Sequence, residues 1–172
     1  VGNAITNFGD DKGTKGTNLS VDNWFDAIAF LQNAGNTGRT YALLNPQQLG
    51  QLQSSVRAEA GAIQFVPATQ SMLEVKGAGY AGMFAGVDVY TSTQCEAAGG
   101  GYDGAMWAEG CLGYAEAAPL IGMGSEQRPA ASPVVVEYER DASRALTQIV
   151  GHYYCGVAII QDDMGVGLLS TT

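Results

Sequence analysis

Apolar residues recur along this chain in two rhythms, one helical and one alternating. Val21, Trp24, Phe25, Ile28 and Leu31 fall at helical spacing. Ser20 or Asp22 offers a short oxygen side chain that accepts the orphan amide hydrogens of a first turn. With Gly35 as the left-handed residue after the last turn, the pattern predicts a helix from about residue 21 to 34. TYALL (40–44) follows an NTGR turn and reads as a buried strand. Asn45-Pro46-Gln47-Gln48 is a helix start, with Asn at the cap, Pro at the first position and Gln three residues after the cap. A helix from 46 to about 58 follows.

Further along, the elements shorten. IQFV, SMLEV and GVDVYTS, between residues 61 and 93, are expected as strands and hairpin edges separated by glycine-rich turns. CEAAGGGYDG (95–104) reads as a glycine-rich loop outside any element. AMWAEGCLGYAEAA (105–118) is ambiguous: its small residues suit a helix, and its two glycines weaken one. PVVVEYERD (133–141) alternates as a strand, and residues 145–171 read as two strands around a DDMG turn. Residues 1–19, rich in Gly, Asn, Thr and Asp, form an irregular lead-in. There is no internal repeat.

Length and composition narrow the class. A chain of 172 residues is one domain or one and a half small ones, and it buries roughly 70% of its unfolded surface without disulfide staples. Apolar residues make up 46% and charged residues 15%, which excludes a disordered chain and implies uncharged surface of the kind that neighbouring subunits cover. No apolar run is long enough to span a membrane. Eight basic and seventeen acidic residues give a net charge of −9. Lys12, Lys15, Lys76 and the five arginines are scattered singly, so a sequence-reading nucleic-acid domain is excluded. Cys95, Cys111 and Cys155 are odd in number and widely spaced, and are expected as reduced thiols. The chain starts with Val1 and no signal peptide, as expected for a processed product or a fragment.

Three motifs invite chemistry and none completes it. Gly77-Ala78-Gly79-Tyr80-Ala81-Gly82 matches GxGxxG, with Glu96 about twenty residues on. That fingerprint needs a helix whose amides cradle a pyrophosphate. The MFAGVDVYTS that follows reads as a strand, so the glycines are expected to be a hairpin turn. His152 and Cys155 lie three apart in a strand, where alternate side chains face opposite ways and the two cannot pair. A single histidine leaves almost no material for a triad or a zinc site. Asp10-Asp11 and Asp162-Asp163 lack calcium-loop spacing and are expected as polar turns. No catalytic residue, cofactor site or metal site is expected.

The order of the segments carries a resemblance. AFLQNAG followed by TYALLNPQQLGQLQ resembles the strand, Asn-Pro, helix unit of tailed-phage major capsid proteins. FAGVDVYTST resembles their strand before a glycine-rich loop, and GYDGAMWAEGCLGYAEA and the closing RDASRALTQIVGHYYCGVAIIQDDMGVGLLST continue the pattern to Thr172. The resemblance implies the α+β Hong Kong phage-type capsid fold. In it, residues 20–133 would form an axial domain with a central sheet flanked by helices, and residues 134–172 would supply strands of the peripheral domain. It implies a structural coat protein and not an enzyme. Copies would assemble as hexameric and pentameric capsomers into the icosahedral shell of a virion in the bacterial cytoplasm, with other capsid or decoration proteins as further partners. The family's N-terminal arm, extended loop and spine helix have no counterpart here, which implies either the C-terminal part of a subunit or a remainder that is a separate or unobserved segment. Lys–Asn cross-linking of some members is not carried over, because no Asn follows Asn45. By the same analogy Gly99, Gly100, Gly101, Tyr102, Asp103 and Gly104 would approach symmetry-related copies. Two other readings compete: an encapsulin-like cellular shell protein, and a nucleotide-binding enzyme domain using the GAGYAG turn.

Overall fold

The computed structural model describes residues 8–58, 65–95, 100–121, 128–129, 132–141 and 143–172. The chain divides into two compact units, one of Val1–Leu112 with Ile159–Thr172 and one of Gly113–Ala158. In the first, helix α1 (Val21–Asn33) starts where Ser20 Oγ accepts the Asn23 amide at 3.2 Å. It ends where Gly35 N–H donates to Gln32 O and Asn36 N–H to Leu31 O. That closure needs a left-handed residue, and Gly35 supplies it at φ +88°. Strand β2 (Thr40–Leu44) then leads into α2 (Pro46–Ala58). The α2 cap is reciprocal: Asn45 Oδ1 accepts from the Gln47 amide at 2.9 Å, and Gln48 Oε1 accepts from the Asn45 amide at 3.1 Å. The sequence pattern had located all three elements.

A seven-stranded sheet runs beside these helices. Its members are β1 (Asp11–Lys12), β12 (Gly165–Thr171), β6 (Gly101–Ala108), β2, β5 (Val87–Thr91), β4 (Tyr80–Phe84) and β3 (Val66–Pro67), in that spatial order. β2 lies parallel to β5 and antiparallel to β6. One sheet face, carrying Ala42, Leu44, Val87, Val89, Met106, Val166 and Leu168, packs on Val21, Trp24, Ala27, Leu31 and Leu52 of the helices. Burying such side chains is the main drive for folding, at about 25 cal/mol per Å² of apolar surface. At the centre of that layer is one polar side chain. Gln48 is fully buried, and its Nε2 donates to Leu168 O at 2.9 Å and Tyr102 O at 3.1 Å.

Four expectations need correction. Gly101–Gly104 are not loop but the first half of β6, in antiparallel register with Leu168–Thr171. Their glycines answer to packing: a Cβ on Gly104 would lie 2.7 Å from Gln48 Oε1, and one on Gly101 would lie 2.6 Å from Ser170 O. The ambiguous 105–118 segment is the rest of β6 and β7 (Leu112–Ala117). SMLEV lies in the short helix α3 (Gln70–Lys76), seven residues being too few for periodicity to declare itself. Within the expected lead-in, Asp11–Lys12 pairs with the closing strand β12. In IQFV, Ile63 and Gln64 lie outside the described residues; the observed strand there is Val66–Pro67.

The second unit contains most of a three-stranded sheet ordered β10 (Val134–Asp141), β11 (Leu146–Ile159), β7, and the short antiparallel pair β8 (Leu120–Ile121) with β9 (Arg128–Pro129). β10 and β11 are antiparallel, with Val134 opposite Tyr153, Val136 opposite Gly151 and Tyr138 opposite Ile149. The expected two strands around DDMG exist, joined by one helical turn at Asp162–Met164, but they do not share a sheet. β12 joins the seven-stranded sheet, so the expected grouping of residues 134–172 differs from the observed division into units.

Replacing Gln48 by Ala strands the Asn45 amide and two carbonyls in a dry layer and opens a cavity. With about 1–3 kcal/mol for each unsatisfied buried group, the expected loss is on the order of 3 kcal/mol or more in urea unfolding. A loss below about 1 kcal/mol would show that these bonds are replaced at no cost.

Candidate functional site

The GAGYAG segment is assembled as an exit and an entrance, not as a turn. Gly77 closes α3 at φ +92°, and Tyr80–Phe84 is already strand β4. The hairpin turn falls later, at Ala85 and Gly86, both with positive φ. No helix opens after these glycines, so no amide cradle for phosphate forms. Gly82 is needed for closeness: at φ +148°, a Cβ there would sit 2.2 Å from Val66 O. A bulge between Tyr80 and Gly82 shifts the register with β5. It turns Tyr80 to one face of the sheet while Phe84 enters the helix-covered core.

That bulge builds a cluster that sequence reading missed. Asp88 is buried on β5 and accepts from Lys76 Nζ at 2.5 Å and from Tyr80 Oη at 3.2 Å. The Lys76 ammonium lies 4.5 Å from the Tyr80 ring centroid, and Tyr80 meets Tyr90 edge-on at 5.4 Å. The hydrogen bond to Asp88 holds the Lys76 pKa above its ordinary value, and burial followed by the Asp88 charge does the same for Tyr80. Only the bulge brings Tyr80 beside Asp88, which is why spacing gave no signal. A paired, protonated lysine is a brace between α3 and the hairpin, not a nucleophile.

The other sequence candidates are kept apart. His152 is half-exposed on β11, with Nε2 3.5 Å from Glu137 Oε2. Cys155 is exposed, whereas Cys95 and Cys111 are buried, and all three are free thiols. Burial and the neighbouring Asp162 push the Cys111 thiol up to about 11. Asp162 sits in the expected turn and accepts from the Gly9 amide at 3.2 Å, while Asp11 lies in β1 instead. Among the described residues, no three His, Cys, Asp or Glu side chains gather as a metal site. No helix there is long and apolar enough to cross a membrane. Of the glycine-rich candidates, Gly99 lies outside the described residues. Gly101 and Gly104 are buried, and Asp103 pairs with Lys15 at 3.3 Å. Gly100 is exposed at φ +81° with open space around it.

What the surface does present is apolar. Val134, Val136, Tyr138, Ile149 and Tyr153 share one face of the β10–β11 pair and are 50, 49, 73, 64 and 45% exposed. Scattered apolar residues on a surface are ordinary, but a contiguous apolar sheet face marks an interaction surface.

No protein-family model matches the chain, and no curated protein sequence does. Solved structures do. The holo-SrpI encapsulin complex from Synechococcus elongatus PCC 7942 matches over 96% of this chain and 55% of its own, with a TM-score of 0.66 at 15% identity. The structure from Mycobacterium phage Che8 matches over 97% and 55%, with a TM-score of 0.65 at 12% identity. The mature capsid of bacteriophage PhiM1 matches over 88% and 46%, with a TM-score of 0.52 at 16% identity. The chain therefore has the Hong Kong phage-type capsid fold and spans about half the length of the structures it matches.

Two outcomes follow from the cluster and the thiols. Lys76, Tyr80 and Tyr90 all have raised values when folded, so their contribution is complete below the ordinary values of 10.0–10.5 and is lost as pH rises through the folded values. Alkaline melts of wild type should fall more steeply above that window than those of a Lys76→Met, Tyr80→Phe variant; parallel curves would remove the linkage. With a thiol-reactive dye at neutral pH, Cys155 should label in the native protein, and Cys95 and Cys111 only after unfolding. Rapid native labelling of all three would contradict the burial.

Proposed function

We propose that this chain is the wall-forming part of a shell subunit, a phage major coat protein whose main partner is further copies of itself. The observation that carries the reading is the exposed apolar face of Val134, Val136, Tyr138, Ile149 and Tyr153 on a chain with a shell-protein fold. An uncovered apolar sheet is a liability for a lone molecule and an asset for a subunit that is always covered. The first unit would serve as the axial domain and the second as the peripheral domain. Hexameric and pentameric capsomers, a place in the virion, and assembly in the host cytoplasm belong to the same proposal. So does a purely structural, non-enzymatic role, supported by a Lys76–Asp88 pair that braces and does not react. Among the described glycines of that segment, Gly100 is suited to a contact between copies, because it is exposed with open space around it.

The match to the encapsulin complex favours a second reading, a cellular compartment with the same fold. Contents separate the two: nucleic acid inside purified particles supports the phage coat, and protein cargo supports the compartment.

Negative-stain images of the full-length gene product should show closed shells or rings. Uniform small globules would overturn the shell reading. Tyr138→Asp with Ile149→Asp should leave the circular dichroism unchanged while shell yield falls at least about tenfold, because two charges would need burying without partners. Unchanged yield would remove this face from assembly. Gly100→Val tests the contact there in the same assay.

A further inference from the structure

Three oxygen atoms meet in the second unit. Tyr114 and Glu116 are two apart on β7, so they project from the same face of the sheet. Tyr153 stands on the adjacent strand β11 and reaches the same point. Its hydroxyl donates to Glu116 Oε1 at 2.7 Å, the Tyr114 hydroxyl donates to that same oxygen, and the two hydroxyls touch each other. Every pair in this triangle is in hydrogen-bond contact.

The protons do not suffice for it. Two phenols carry two protons and an ionised carboxylate carries none, so three contacts share two protons. Both phenol protons are spent on Glu116, leaving the contact between the hydroxyls without one. A triangle of oxygens that is rich in lone pairs and short of protons is one face of a coordination polyhedron.

We propose that Tyr114, Tyr153 and Glu116 form a surface site for a trivalent, oxygen-seeking metal ion of the ferric class. Ligand type selects the metal: phenolate and carboxylate oxygens are hard donors, whereas zinc and copper favour nitrogen and sulfur. Charge selects it further. A phenol ordinarily keeps its proton up to about pH 10, so magnesium or calcium does not displace it at neutral pH. A strongly acidic trivalent ion can. The exchange balances: one ferric ion forms two phenolate bonds and one carboxylate bond, two protons leave for solvent, and the iron keeps its oxidation state. Water or a small chelating anion would complete the open side. Strands hold donors at fixed spacing better than loops do, and Tyr114 and Tyr153 lie too far apart along the chain for spacing to reveal the group.

The test is to add one equivalent of ferric nitrilotriacetate to the full chain at neutral pH, desalt, and record the visible spectrum and iron content. The expected result is close to one bound iron per chain with a phenolate-to-iron charge-transfer band. Tyr114→Phe and Tyr153→Phe should each roughly halve the band, and together they should abolish it while the thermal melt stays cooperative. Calcium at the same concentration should leave the tyrosine absorption unchanged. A wild-type chain that emerges colourless and iron-free overturns the site. So does a band that persists at full strength in both single variants, since other tyrosines would then supply it. Tyr153 also lies on the face proposed to bind further copies, so the iron assay is run on the unassembled chain and shell yield is read separately; failure of either proposal then leaves the other standing.

Discussion

One buried amide and one missing methyl group set the centre of the first unit. Gln48 lies where α2 crosses the sheet, and it can bond Tyr102 O and Leu168 O only because Gly104 has no side chain. Any Cβ at Gly104 would meet Gln48 Oε1, Leu44 Cδ2 and Leu43 O within 2.9 Å. The same glutamine closes the α2 cap through Asn45, whose side chain in turn donates to Cys95 O at 3.4 Å. A local device that starts a helix thus extends into a tertiary clamp on two central strands. An unpaired amide in that clamp would cost about 1–3 kcal/mol.

The two faces of the sheet are built by different physics. The helix-covered face is a packed apolar layer in which Trp24 and Phe84 meet at 5.6 Å between ring centroids. The opposite face carries a small cluster around Phe8, Ala105 and Cys111 and, towards β4, the polar group of Asp88, Lys76 and Tyr80. The bulge at Tyr80 joins these regimes, since without its extra residue Tyr80 and Phe84 would project to the same side. A charged pair serves there because α3 has no buried residue of its own to hold it down.

How much of this could be read from the sequence depended on how local each cause was. The helices 21–34 and 46–58 and strand 40–44 were legible because their caps and periodicities are contained in the segments themselves. The glycines of 101–104 misled because flexibility and close approach write the same letter. Only the partner across the gap, Gln48 or Ser170, distinguishes them, and those partners lie far along the chain. GAGYAG was rightly refused as a phosphate cradle, yet its place as helix exit and strand entrance depended on a seven-residue helix too short to announce itself. The Asp88 cluster and the Tyr114–Tyr153–Glu116 triangle gave no signal, being products of register.

The same distinction explains how a fold persists at 12–16% identity to its solved neighbours. The devices that hold this chain together are positional: a cap, a Cβ that must be missing, a bulge that re-aims one ring. Each constrains one or two residues and leaves the rest free to change, provided that apolar volume and alternation are kept. Surface chemistry is freer still, and here it includes a row of exposed apolar side chains on β10 and β11 of the second unit. Val134, Val136, Tyr138, Ile149 and Tyr153 of β10 and β11 share a face on which each is about half exposed or more. Part of the apolar surface of those side chains stays in water in the single chain. Any partner that binds the folded face and not the unfolded chain would stabilise the fold by mass action.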